Sequence, residues 1–517
     1  MCGILSVFCK KKATDELVSK IKQGFMLIKS RGPDRGQIHY DDNYNVLGFH
    51  RLCINDMSSL GDQPMVSKNS SAVLMCNGEI YNHKELQKEY GIICQSTSDC
   101  EIILKLYEKI GFEETVRRLD GVFAIVLIDK NNVHIARDRV GVRPLFSGVT
   151  KDGDIAVASI AKALQGFCNN IEPFAPGLLS FNKYDIKNVL NHKKYTFIPK
   201  IVTDPQTDLK LTLIDAVKKR LLTDRPIGCL LSGGLDSSLI ASILCRFMDP
   251  KDVRTYSIGM EGSLDLKYAS DVASFLGTNH TQVVFTPEEG LSAIPEVVEA
   301  LESYDITTVR ASVPMYLLSK YIKEHTEDRV IFSGEGSDEL MCGYLYFHFA
   351  PSDKELEEES WRLVNDLYKY DVLRADRTVS VHGLELRVPF LDRNFLQLAM
   401  SLTGKQKMPI NKYEKFTLRY AFKDGDYLPN NVLWRRKDGL SDGCSSLENP
   451  WYQYIQEHAN NLVSDEEFKK SSHMSKEAMW YKKLFDSYFP VYQPNMYMWM
   501  PKWTNCTDPS GRLVLNE

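Results

Sequence analysis

The passage IGCLLSGGLDSSLIASILCRFM at residues 227–248 constrains the fold most, because an apolar run meets two adjacent glycines and then an amphipathic helical segment. Adjacent glycines let a strand turn directly into a helix whose first backbone N–H groups stay unpaired. Downstream, strand-like and helix-like runs alternate: VRTYSIG, DLKYASDVASFLG, HTQVVF, PMYLLSKYIKEH and RVIFS. That order of elements builds a parallel sheet flanked by helices. Upstream, Leu213, Val217 and Leu221 recur at helical spacing until Pro226 ends the helix and opens the strand.

The first 200 residues read differently. Short strands ILSVF, NVLGFHRLCI, SSAVLMCNGEI, DGVFAIVLID, NVHIARD and DIAVAS are joined by turns, with helices near 15–28, 83–90 and 99–110. Runs such as FAIVLI are apolar on both alternating faces, so each sheet face packs on another layer. The expected organisation is therefore an α+β domain over 1–200 and an α/β domain over 201–517. Within the second, 351–370 reads as an acidic surface helix with Leu363, Leu367 and Tyr370 on one face. The tail from 449, rich in Trp, Tyr and Met, reads as helices packed on the core.

A length of 517 residues exceeds one hydrophobic core, in keeping with two domains. The formal charge of -5 offers no basic surface, so no nucleic-acid partner is expected. No apolar segment reaches the roughly 18 residues of a membrane span, and ILSVF after Cys2 is too short for an export signal. The 12 cysteines include no CxxC pair, which points to a reducing, cytoplasmic compartment.

The glycine turn carries chemistry. Ser232, Gly233, Gly234, Ser237 and Ser238 place short donors at a helix N-terminus, where an anion such as phosphate is favoured. The loop fits neither the Walker A nor the GxGxxG spacing. Asp236 would repel bare phosphate unless magnesium lay between them. A second loop, SGEGSDE at 333–339, sets Glu335, Asp338 and Glu339 beside Ser333 and Gly334 after the apolar VIF. Asp236 and Asp338 are candidates to share Mg2+, and Glu335 to act as a base. The alternative is a serine-capped turn, with the second loop's carboxylates capping the next helix and facing water.

SGGLDSS, YSIG at 256–259 and FSGEGSDE at 332–339 together resemble the ATP-pyrophosphatase domain of the glutamine-hydrolysing asparagine synthetases. The likeness continues through YDITTVRAS at 304–312, HGLELRVPFLD at 382–392 and WRRK at 434–437 before DGLSDG. In that family the N-terminal domain is a four-layer αββα nucleophile fold. Cys2, exposed as first residue when Met1 is removed, supplies thiol and α-amine together; taken by itself, without the resemblance, it reads as a structural or incidental cysteine. RGPD at 31–34, the HRL around Arg51 and NGEIYN at 77–82 resemble the family's glutaminase motifs.

The resemblance implies roles. Arg51 would grip glutamine's α-carboxylate, Glu79 and Asp99 its α-ammonium, and Asn77 with Gly78 the oxyanion of the thioester-forming intermediate. Asp99 could alternatively serve only the start of a helix. Leu231 through Ser238, with Ser257, Ile258, Ser333 and Gly334, would hold ATP. Thr307 and Arg310 would lie by substrate and phosphate, Glu335 would take a proton as ammonia attacks β-aspartyl-AMP, and Lys437 would offset charge on the intermediate. The bland reading of WRRK is a solvated basic cluster. Glutamine, aspartate and ATP are the implied substrates, and a homodimer the implied assembly.

Two readings of HGLELRVPFLD stay open: an Arg387–Asp392 ion pair or a substrate contact. His50, His280 and His382 lack metal-ligand spacing. Rival functions are a related enzyme activating another carboxylate and a noncatalytic protein with an inherited fold.

Overall fold

Side-chain alternation decides the layering of the N-terminal part. One antiparallel sheet runs, in spatial order, Cys168–Pro173, Phe146–Thr150, Ile155–Ala158, Gly3–Phe8, Asn45–Arg51 and Arg35–Tyr40. A second runs Gly177–Asn182, Asn132–Arg137, Gly121–Asp129, Ala72–Ile80 and Met65–Val66. Ile4, Phe8, Leu47 and Phe49 from the first meet Val73, Met75, Ala124 and Val126 from the second in one core between the sheets. The alternate residues Leu74, Cys76, Ile125 and Leu127 face outward onto the helices His83–Tyr90, Glu101–Ile110 and Phe112–Arg118. Leu5 and Val7 likewise face the helix Asp15–Leu27 through Ile21 and Phe25. Strands apolar on both faces thus produce the αββα stack. The computed structural model describes residues 1–185 and 192–511.

The second part is built on a parallel sheet ordered Asn279–Val284, Arg254–Gly259, Ile227–Leu230, Val330–Phe332 and Glu385–Arg387. Counted along the chain, the order is 3-2-1-4-5, so the direction of winding reverses between Ile227–Leu230 and Val330–Phe332. That switch point is where open α/β sheets hold ligands. The helix Leu235–Leu244 that follows the first strand is buried at every position except Ser237, so it is a core helix rather than an amphipathic one.

The helices Trp451–Leu462 and Lys476–Tyr488 close the core, with Trp451 fully buried and edge-on to Phe285. Burial of such side chains contributes about 1.5–3 kcal/mol each. Leu363, Leu367 and Tyr370 are buried beneath the acidic helix Asp353–Asp366. The two parts are fastened by the buried Arg31–Asp376 ion pair at 2.9 Å and by Glu302, which pairs with Arg377 at 2.8 Å in its own domain and accepts the Ala161 and Lys162 N–H groups from the other.

Candidate active sites

In the first site the sheet brings Cys2 and Asn77 together. Cys2 immediately precedes the strand Gly3–Phe8, and its backbone N–H donates to Asn77 Oδ1 at 2.9 Å. Arg31 Nε holds the Cys2 carbonyl at 3.0 Å while its other nitrogens reach Asp376 and Ser380, so the RGPD arginine anchors the cysteine against the second domain. Asn77 Nδ2 is buried with no hydrogen-bond partner among the described residues, a donor with spare capacity on the amide that holds the Cys2 backbone. A side chain at position 78 would strike the Val122 carbonyl at 2.3 Å, which explains glycine there. Burial pushes the Cys2 thiol up to about 11, so with Met1 still attached it is a protonated, poor nucleophile.

Glu79 and Asp99 converge on one donor. Asn55 Nδ2 lies 2.6 Å from Glu79 Oε2 and 3.3 Å from Asp99 Oδ1, and Asp99 also accepts the Ile80 N–H at 2.6 Å. Burial raises both carboxyls, Glu79 far above its ordinary value, with neighbouring carboxylates adding to the rise in each. Two buried acids around a neutral amide make a place that a cation would stabilise. Arg51, buried at the end of the strand Asn45–Arg51, donates to the carbonyls of Asn55 at 3.1 Å, Ser58 at 2.8 Å and Asp56, and to Asp62 at 2.7 Å.

The second site is a cavity of about 200 Å³ at the carboxyl edge of the parallel sheet, on the switch point. Leu231, Ser232, Gly234, Asp236 and Ser237 face it from the glycine turn. Ser257 and Ile258 line it from the next strand, Ser333, Gly334, Glu335 and Asp338 from the second loop, and Thr307 from the helix Ile306–His325. Gly233, at φ +69°, packs on Tyr268 and Ala269. Ser238 is fully buried, its hydroxyl unpartnered among the described residues. Gly334 closes on the other loop, where a Cβ would stand 2.8 Å from the Ser237 nitrogen.

Asp236 and Asp338 meet on one ammonium. Lys415 Nζ is 2.5 Å from Asp236 and 2.7 Å from Asp338, and Lys437 Nζ is 2.6 Å from Asp338 and 4.0 Å from Asp236. Burial alone would raise the Asp338 carboxyl, yet the two lysines hold it far below the usual range. Both carboxylates therefore accept a shared cation, and their oxygen donors suit Mg2+, which usually takes one or two carboxylates plus substrate phosphates. Among the described residues no cluster of three His, Cys, Asp or Glu side chains forms a self-sufficient metal cage. Glu335 is raised by burial and countered by Arg374 at 2.7 Å. Lys437 faces this cavity, so WRRK is not merely a solvated cluster.

Other expected residues lie elsewhere. Arg310 is clamped by Glu477 at 2.6 Å and Asp508 at 2.7 Å, which commits its guanidinium to the C-terminal segment instead of the cavity. Arg387 does not pair with Asp392; Asp392 binds Lys219 at 2.5 Å and Arg220 at 2.7 Å, while Arg387 turns to Glu385 and Glu79. His50 stacks on Phe25, His280 bonds Thr255 and Ser257, and His382 lies against Tyr316. Lys415 and Arg374 do not stand out in the sequence, since nothing near them in the chain signals their partners, and Arg31 does so only through the RGPD motif.

An N-terminal cysteine on an αββα stack, followed by a phosphate-type loop at the switch point of a parallel sheet, defines a two-domain amidotransferase joined to an ATP-pyrophosphatase fold. A family model described as asparagine synthase matches residues 208–356 and 349–503, and one described as glutamine amidotransferase domain matches 1–201. The glutamine-hydrolysing asparagine synthetase of Homo sapiens is 43% identical over 559 aligned residues, covering 99% of this chain and 98% of that protein. That of Gallus gallus is 41% identical with the same coverage. Among solved structures, the Bacillus subtilis glutamine phosphoribosylpyrophosphate amidotransferase superposes with a TM-score of 0.32 at 17% identity, over 50% of this chain and 66% of that one. The chain belongs to the glutamine-hydrolysing asparagine synthetase family.

Proposed function

We propose that this chain converts aspartate to asparagine with nitrogen from glutamine, cleaving ATP to AMP and pyrophosphate. The boundary between the glutaminase and synthetase domains falls near residue 200. Once Met1 is removed, the Cys2 nitrogen becomes an α-amine able to take the thiol proton, directly or through water. The thiolate attacks glutamine's amide carbon, Asn77 and Gly78 steady the oxyanion, ammonia leaves, and water clears the thioester as glutamate. Glu79 and Asp99 receive the α-ammonium, and Arg51 exchanges one of its carbonyl partners for the α-carboxylate.

In the second cavity the glycine turn cradles the phosphates. The β-carboxylate of aspartate attacks the α-phosphorus, pyrophosphate departs, and ammonia transferred internally from the first site displaces AMP from β-aspartyl-AMP while Glu335 accepts a proton. Lys437 and Lys415 offset the charge that builds on the phosphates. Asp236 and Asp338 are the residues that would hold Mg2+, which would supply positive charge to offset that of the pyrophosphate. Thr307, whose buried hydroxyl has no partner among the described residues, offers a contact to substrate. Arg310 supports the helix that carries Thr307 and touches no phosphate.

The observation that carries this reading is the convergence of Asp236 and Asp338 on one cation at the switch point, in a chain that also seats Cys2 on Asn77. Twelve free cysteines support a cytoplasmic setting, and no described helix is long and apolar enough to cross a membrane. The homodimer rests on the family alone and is tested by sedimentation. Incubation with ATP, Mg2+, glutamine and a panel of carboxylic acids tests the chemistry: asparagine should form from aspartate only, and pyrophosphate release driven by another acid without aspartate would refute the assignment.

A further inference from the structure

The strand Glu385–Arg387 lies at the edge of the parallel sheet, yet both charged side chains are buried against the N-terminal domain. Arg387 Nη2 stands between two carboxylates, 3.0 Å from Glu385 of its own domain and 3.4 Å from Glu79 of the other. Its Nη1 donates to the carbonyls of Leu222 at 2.7 Å and of Arg220, so the guanidinium has little room to swing. The carbonyl of the same residue accepts the Ser333 N–H at 2.9 Å. Ser333 opens the loop that carries Glu335 and Asp338. One residue thus touches the amine-binding acid of the first site with its side chain and the catalytic loop of the second with its backbone.

The electrostatics make this link responsive. Glu79 shares Asn55 with Asp99, and Arg387 and Arg143 are the cations that ease its burial. A ligand ammonium entering between Glu79 and Asp99 would compete with Arg387 for Glu79 and shift the pairing of the tethered guanidinium toward Glu385. Because Nη1 is tied to two carbonyls, the adjustment is passed to the strand and through its carbonyl to Ser333.

We propose that Arg387 is a positioning residue that couples occupancy of the glutamine site to the nucleotide affinity of the synthetase site. The inference rests on the function proposed above. Coupling of this kind is reciprocal: whatever factor glutamine imposes on ATP binding, ATP imposes on glutamine binding.

The test uses full-length Cys2→Ala protein, which binds glutamine without consuming it, and calorimetric titration of a nonhydrolysable ATP analogue with Mg2+ in the presence and absence of saturating glutamine. Glutamine should change the analogue's Kd by about fivefold or more. In Cys2→Ala/Arg387→Lys, which keeps the charge and the backbone bond to Ser333 but loses the fork, the change should fall below about twofold, with ammonia-dependent asparagine synthesis retained. If that variant melts earlier than its parent, Cys2→Ala/Glu79→Gln at saturating glutamine reads the same coupling. Glutamine that binds without altering the Kd, or coupling that survives both substitutions, overturns the proposal. Failure of glutamine to bind Cys2→Ala protein overturns the glutaminase reading and the proposal with it.

Discussion

Cys2 donates its backbone N–H to Asn77 Oδ1 at 2.9 Å, leaving the Asn77 Nδ2 group buried and unpartnered among the described residues. The amide is therefore held by its oxygen, and the proposed oxyanion role falls to its Nδ2 donor. Asn77→Ala should lower glutamine hydrolysis by ~10²–10³-fold in kcat, with KM less affected. Steady-state glutamate release checks this, and an unchanged kcat would remove Asn77 from the oxyanion hole.

The two sites should separate under mutation. Glu335→Gln keeps the contact to Arg374 in size but removes the base, so pyrophosphate should still form while asparagine falls by ~10²-fold or more. Quenched-flow measurement of pyrophosphate against asparagine reads the split. Equal loss of both products would mean that Glu335 acts before aspartate is activated.

Lys415 balances Asp236 and Asp338 from inside the cavity. Lys415→Met leaves Lys437 alone with two buried carboxylates, and removal of one partner from such a cluster costs about 3–5 kcal/mol. The nucleotide-free protein should melt at lower temperature, and ATP with Mg2+ should restore more stability to the variant than to the parent. Identical shifts in both proteins would contradict the shared-cation view of the pair.

Arg310 tests a correction. Its carboxylate partners Glu477 and Asp508 lie 167 and 198 residues further along the chain, so no local pattern in YDITTVRAS distinguishes a structural clamp from a phosphate contact. Arg310→Ala should destabilise the synthetase domain, also by about 3–5 kcal/mol, while the folded fraction keeps its KM for ATP. A stable variant with a raised KM would return Arg310 to the site.

The glycine turn was legible because its signal is local: strand, Gly233-Gly234 and helix follow one another without a break. The layering of the first domain was legible from runs apolar on both faces. Glu385–Arg387 was not, since a three-residue strand with charge at both ends reads as loop until the facing domain buries it. Lys415 was missed for a related reason. It precedes the short helix Phe416–Ala421 at φ +55°, and only the folded chain turns it onto Asp236, 179 residues earlier.

The pH response of stability has a defined sign at His382. Burial, with Lys320 and Lys323 adding, pulls its imidazole from 6.5 down to about 4. Above 6.5 neither folded nor unfolded chain is protonated there, so the shift has no effect. As pH falls from 6.5 toward 4 the unfolded chain takes up the proton first, and stability drops by up to roughly 3 kcal/mol. His382→Asn should flatten this slope in urea midpoints taken across that range; an unchanged slope would place the acid sensitivity elsewhere.

Nitrogen transfer between the two sites is tested most directly by isotope competition. The protein is supplied with aspartate, ATP, Mg2+, amide-¹⁵N glutamine and excess unlabelled ammonium, and the asparagine is weighed by mass spectrometry. The account predicts asparagine enriched in ¹⁵N well above the bulk ammonia pool, with AMP and pyrophosphate formed one for one. Asparagine carrying only the bulk isotope ratio would contradict it.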